Sequence, residues 1–369
     1  MNWITLLVAG LLATGVTSLP AQSVDSALVA RARAIHARVI TLDTHVDINP
    51  GQFTDKHPNY TDRLASQVNL PKMQEGGLDA VFFSIFVGQG PLTDEGYARA
   101  HAADMEKFAA VHRLAEQLAP EQIEIAYTAA DVPRIAAAGK KIALMGVENG
   151  YGIGTDLMNV TKFHGLGARY MSLAHNGHSQ LSDSNTGERD GVWMWNGLSP
   201  LGRQVVTEMN RLGIMIDISH PSKASMLQTV ALTQAPIIAS HSAVRALCDV
   251  SRNLDDEQLK ALAKNGGVVQ IVAFSAYLKK QPGGRATVRD LVDHIDYAVK
   301  LIGLDHVGIS SDFDGGGGVD GFNDATEAPN VTIELVRRGY TEAQIGQLWS
   351  GNLLRVLREV EQVAERLRR

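Results

Sequence analysis

Eight apolar runs, spaced widely enough to leave a helix between neighbours, constrain this 369-residue chain more than any other feature. They are Val39 to Asp47, Asp79 to Gly88, Lys141 to Asn149, Ala168 to Asn176, Ile214 to His220, Pro236 to Ser242, Gly267 to Phe274 and His306 to Asp314. Most are continuously apolar, as expected of strands buried on both faces. Between them, Pro200 to Leu212, Asp255 to Lys264 and Val288 to Leu301 carry apolar residues at helical spacing. Ser199-Pro200 and Asp255-Asp256 supply starts for such helices, and Gly213, Gly266 and Gly303 supply ends. Strand and helix alternating eight times predict a closed parallel (β/α)8 barrel. Thr341 to Arg369 reads as a terminal helix outside that barrel. Residues 22–369 are therefore expected to form one domain, without internal repeats.

The first 21 residues form a short apolar run ending in small residues, the pattern of a signal peptide cleaved near Ala21. No Lys or Arg precedes the run, so an uncleaved anchor is the alternative. The run is shorter than the roughly 20 apolar residues that span a bilayer, which favours cleavage and an exported chain. With 34 Lys and Arg against 40 Asp and Glu, the net charge of -6 offers no basic stripe for nucleic acid. Cys248 is the sole cysteine, so no disulfide can form within the chain, and a buried small hydrophobe is the expected role.

Polar residues collect where the runs end, and in a barrel the carboxyl ends of the strands share one rim. His45 and Asp47 stand two apart at the end of the first run, on one side of an extended strand, where both can reach one metal. Alone the pair carries little weight. Glu148 closes the third run, His175 the fourth, His220 the fifth and His241 the sixth, and Asp312 and Asp314 flank Phe313 in the last. Histidine with carboxylate suits zinc and neighbouring divalent ions. Glu148 has two oxygens and can bridge a pair of ions, one shared with His45 and Asp47, the other with His220 and His241. Taken singly, His220 could instead cap a helix before Pro221, and His241 could be a satisfied core histidine. Asp312 is the better proton carrier, while Asp314 could brace the glycines Gly315 to Gly318. His175 is free to polarise a carbonyl or make an outer hydrogen bond. The 178–199 stretch, with Trp193 and Trp195, is either a lid or a surface excursion with buried tryptophans.

Together these residues resemble the membrane (renal) dipeptidase family, peptidase family M19. The likeness runs through Asp43-Thr44-His45-Val46-Asp47, Gly146-Val147-Glu148-Asn149-Gly150, Arg169 to Asn176, Asp217-Ile218-Ser219-His220, Ser240-His241-Ser242, Ser251-Arg252-Asn253-Leu254, Ser311-Asp312-Phe313-Asp314-Gly315 and Gly351 to Arg355. The resemblance implies an amidohydrolase-type (β/α)8 barrel, two zinc ions per chain bridged by Glu148, and attack on dipeptides by a metal-bridging hydroxide. It implies His45 and Asp47 on one zinc, His220 and His241 on the other, His175 at the scissile carbonyl and Asp312 as the proton carrier. Arg252, which spacing alone would leave as a surface charge, becomes the anchor of the substrate carboxylate.

Animal members are disulfide-linked and lipid-anchored, whereas this chain has one cysteine and a charged tail lacking the apolar segment of an anchor signal. A bacterial, periplasmic or secreted member is expected, with small dipeptides as partners and no lasting membrane span. A homodimer stays open. The rival readings are an amidohydrolase acting on another amide or a β-lactam, and a barrel that binds metal or dipeptide without catalysis.

Overall fold

The computed structural model describes residues 26–280, 282 and 284–369, so the leader-like residues 1–21 lie outside the described part. Nine strands form one parallel sheet: β1 Leu42–Asp47, β2 Ala80–Phe86, β3 Ile123–Ile125, β4 Lys141–Glu148, β5 Ala168–Ser172, β6 Met215–Asp217, β7 Ile238–Ser242, β8 Val268–Val272 and β9 Val307–Ser310. The order is β1-β2-β4-β5-β6-β7-β8-β9, with β3 paired to β4 outside that path. A parallel bridge between Val46 and Phe313, with Asp47 N–H donating to the Phe313 carbonyl at 2.9 Å, joins the last segment to the first. The eight predicted barrel strands are those of the closed path. Only β3 was not foreseen, because three residues are too few to show a pattern.

Side chains alternate along each strand, and the alternation sorts the interior into layers. Leu42, Phe82, Leu144, Tyr170, Met215, Ile238 and Val268 fill the amino-terminal part as one apolar cluster. Two residues further along stand Thr44, Ser84, Ser172, Asp217, Ser240 and Gln270, all buried and polar. The barrel thus turns from apolar to polar on the way to its carboxyl rim. Space inside is tight enough to demand glycine twice. A Cβ on Gly146 would lie 1.9 Å from the Tyr170 ring, and one on Gly308 would lie 1.9 Å from Gln270 Oε1.

The predicted helices form at Pro200–Leu212, Asp256–Lys264 and Val288–Ile302. Ser199 caps the first by accepting from Gly202 N–H, Asp255 closes a capping box on the second, and Gly213 ends the first in the left-handed region. The chain's last long helix, Asn352–Arg368, lays Leu353, Val356, Leu357 and Val360 against the barrel's apolar interior layer. Asn352 donates to the Leu304 and Val307 carbonyls and Arg355 to those of Gly266 and Asp305, all at strand entrances. The helix therefore seals the amino-terminal end and leaves the carboxyl rim open. Cys248 is free and fully buried, as expected. Among the described residues, no helix is long and apolar enough to cross a membrane.

Candidate metal centre

Glu148, the last residue of β4, is the hub of the carboxyl rim. Its Oε2 lies 3.1 Å from His45 Nε2 and 3.2 Å from Ser84 Oγ, and its Oε1 lies 3.0 Å from His220 Nε2 and 3.4 Å from His241 Nε2. His45 Nε2 also stands 3.7 Å from Asp47 Oδ2 and 3.8 Å from Asp312 Oδ1. His175 Nε2 reaches within 3.6 Å of Glu148 Oε1, its ring held between those of Phe86 and His220. Three sets of donors lie close enough together to hold an ion: His45, Asp47 and Glu148; Glu148, His175 and His220; and His45, His241 and Asp312.

The histidines are aimed by partners on their far nitrogens. Tyr170 hydroxyl donates to the Thr44 carbonyl and so accepts from His45 Nδ1–H at 2.8 Å. Ser240 Oγ donates to Asp217 Oδ2 at 2.7 Å and so accepts from His241 Nδ1–H at 2.8 Å. Asn176 Oδ1 accepts from His220 Nδ1–H at 3.3 Å. Each assignment puts the Nδ1 proton on the far side of the ring and turns Nε2 to Glu148, the orientation a metal ligand needs. Tyr170, Asn176, Ser240 and Asp217 received no role from the sequence. For Tyr170, Ser240 and Asp217 the signal is polarity inside otherwise apolar strands, while Asn176 lies in the loop past β5.

Electrostatics point the same way. Burial, then the neighbouring Arg252 and His175, hold His220 well below its ordinary pKa, and burial with His45 does the same to His241. Both are therefore neutral and able to give lone pairs. Burial drives Asp312 up to about 8, with Asp47 and Glu148 adding to the rise. Burial opposes it, but Tyr170, Glu148 and Asp47 hold His45 well above its ordinary value, so without a cation it carries a proton toward Glu148. A divalent cation can take the place of that proton among two neutral imidazoles and the carboxylates, and such a donor set fits one. Backbone strain collects here too: Asn149, Asp312 and Asp314 have φ of 77°, 59° and 61°.

Arg252 is buried, its guanidinium over the Tyr277 ring. Nη1 donates to the Ser219 carbonyl and Nη2 approaches His220 Nε2 at 3.0 Å. Asp314 does not brace the glycines as expected. It accepts instead from Gln67 and Val68 N–H at 2.8 and 3.2 Å, tying the segment after β1 to the rim. Asp47, Glu148, His175, His220, His241, Arg252 and Asp312 line one cavity of about 580 Å³, and His45 lies buried beneath it. Ile48, Asn49, Gln52, Ser66, Phe274 and Tyr277 complete much of its wall, which the sequence reading had not assigned. The 178–199 segment stays outside: Trp193 and Trp195 are each 37% exposed and line no part of it, so neither the lid nor the buried tryptophans materialise.

A closed parallel barrel with imidazoles and carboxylates gathered on its carboxyl rim defines a metallohydrolase of amidohydrolase type. The chain belongs to the membrane dipeptidase family, peptidase family M19, whose sequence pattern matches residues 29–369. It is 37% identical over 311 residues to dipeptidase tcpJ of Claviceps purpurea, covering 82% of this chain and 72% of that one. Against dipeptidase 3 of Mus musculus it is 35% identical over 302 residues, 81% of this chain and 59% of that one. The solved structure of the probable dipeptidase PvdM from Pseudomonas aeruginosa superposes with a TM-score of 0.86 at 32% identity, covering 92% of this chain and 99% of that one. A metallo peptidase from Rhodobacter sphaeroides, liganded with a phosphinate mimic of L-Ala-D-Ala, matches at TM-score 0.76 and 26% identity over 87% and 99%. Dipeptidase activity and a metal requirement follow from membership of the family.

Proposed function

We propose that this chain hydrolyses dipeptides bearing a free C-terminal carboxylate, with two zinc ions shared across Glu148. The observation that carries the reading is the convergence of His45, His220 and His241 Nε2 on the two oxygens of one buried carboxylate. His45 and Asp47 would hold one ion with Glu148, and His220 and His241 the other, while His175 is left to the substrate. When bound, such ions polarise a carbonyl and lower the pKa of water toward neutrality.

The chain's own groups do the rest. Arg252 binds the substrate carboxylate with its planar fork. Were His220 to give its Nε2 lone pair to a metal, Arg252 Nη2 would keep the His241 carbonyl at 3.3 Å and have its other N–H for the carboxylate. His175 donates to the carbonyl oxygen as negative charge develops there. Asp312 accepts the proton of the attacking water and returns it to the leaving amine as the C–N bond breaks. Burial at the cavity wall suits Asp312 to both halves of that transfer.

Metal content of the purified full chain, measured beside rates on L-Ala-L-Ala, L-Ala-D-Ala and L-Ala-L-Ala-amide, tests the reading. About two zinc ions per chain, turnover of at least one free dipeptide and loss of turnover on the amide are expected. Absence of bound divalent metal, or failure on both free dipeptides, would overturn it. Asp312→Asn should retain the metals and lose roughly 10²–10⁴-fold in kcat. Near-normal turnover with metals in place would remove Asp312 from the proton path.

A further inference from the structure

One cation in the catalytic cavity has no task in the chemistry just described. Lys107 lies on the helix Asp94–Arg113 that follows β2, and it lines the same cavity as Glu148, His175 and Arg252. Its ammonium stands 5.3 Å from the centroid of the Phe86 ring, whose other neighbour is His175. Among the described residues it forms no ion pair and no hydrogen bond, although Asp104 and Glu106 are on its own helix and Asp47 and Glu148 lie across the cavity. Lys107 is half-buried, and an ammonium that has given up part of its hydration without a carboxylate in contact carries a free-energy cost. A ligand that supplies the partner recovers it.

The barrel order fixes where that ligand must sit. Phe86 ends the second strand of the closed path and Arg252 follows the sixth, β7, so Lys107 and Arg252 occupy opposite walls of the mouth. The metal donors lie between them. If Arg252 holds the C-terminal carboxylate and the scissile bond lies over Glu148, the N-terminal residue of a dipeptide is directed to the Lys107 wall. Its α-ammonium cannot settle against another ammonium and has Asp47, Asp312 and Asp314 on the β1 and β9 side instead. The amides of Asn49 and Gln52 share the cavity lining, and their segment is tied to the Lys107 helix by Arg113 donating to the Phe53 carbonyl at 2.9 Å.

We propose that Lys107 is a specificity-determining residue that selects dipeptides whose N-terminal residue carries an acidic side chain. This rests on the reading of Arg252 as the site of the C-terminal carboxylate.

The test compares L-Glu-L-Ala with its neutral isostere L-Gln-L-Ala, using the metal-loaded full chain. The wild type should favour the glutamyl substrate about tenfold in kcat/KM, as expected of one charge-assisted contact. Lys107→Met should bring the ratio to about one, Lys107→Arg should preserve it, and Lys107→Glu should invert the preference toward L-Lys-L-Ala. Because each result is a ratio within one protein, partial loss of folded material does not disturb it. Calorimetric binding of reduced-amide analogues of both dipeptides should show the same order without turnover. A wild-type ratio near one, or a ratio that survives Lys107→Met while L-Ala-L-Ala is cleaved, would overturn the role of Lys107 alone. Failure to cleave L-Ala-L-Ala, L-Glu-L-Ala and L-Gln-L-Ala alike would overturn the dipeptidase reading beneath it.

Discussion

A histidine offers a cation one lone pair, and the partner of its other nitrogen decides which. Here those partners sit inside the barrel: Tyr170 for His45, Ser240 backed by Asp217 for His241, and Asn176 for His220. Removing one should loosen the metal without touching a ligand. Tyr170→Phe takes away the acceptor of His45 Nδ1–H and the donor to Thr44 while keeping the ring that Gly146 accommodates. Zinc affinity should fall about 10–100-fold in a chelator competition assay, with the fold retained. Unchanged affinity would show that packing alone orients His45. The ligand candidates were legible in sequence because each ends an apolar run. Their orienting partners were not, since a tyrosine or serine inside a strand looks like any core residue until the residue facing it is known.

At the scale of elements, strand ends and helix caps followed from local pattern: Ser199, Asp255 and Gly213 stand where their chemistry places them. The terminal helix was foreseen as an element but not as a seal, because its apolar face says only that something covers it. Its burial against the barrel interior makes it part of the core. Leu357 is fully buried in the cluster shared with Leu42, Phe82 and Tyr170. Leu357→Ala should lower unfolding free energy by about 2–5 kcal/mol in chemical denaturation, through lost contact and the cavity left behind. A loss below about 1 kcal/mol would mean the barrel end closes without it. The aromatic segment at 178–199 misled because tryptophans in a long loop suit a lid and a surface excursion equally well. Asp183, accepting from the Met194, Trp195 and Gly197 amides, fastens it away from the cavity.

At the scale of the whole molecule, one histidine under the barrel, His164, makes an acid-sensitive contribution to stability. Burial first, then Arg169, Arg368 and Arg211, hold His164 at about 4 against an ordinary value of 6.5. The folded state therefore resists a proton that the unfolded chain accepts. Above pH 6.5 both states are neutral and stability is full, and it declines as pH falls from 6.5 toward about 4. Buried Asp104 is shifted upward and acts in the opposite sense, so the comparison must be between variants. Tm measured across this window should fall more steeply for wild type than for His164→Gln, and parallel curves would assign the acid response to other groups.

By itself the sequence determined the barrel, the helices with their caps and the ring of ligand candidates, because each depends on residues a few positions apart along one element. Only the tertiary structure decided the rest. It closed β1 onto the segment after β9, brought six strand ends round Glu148, turned the imidazoles inward, and set Lys107 across the mouth from Arg252. Those relations join residues far apart in the chain, and only their distances in the folded molecule, not their spacing in sequence, set their chemistry.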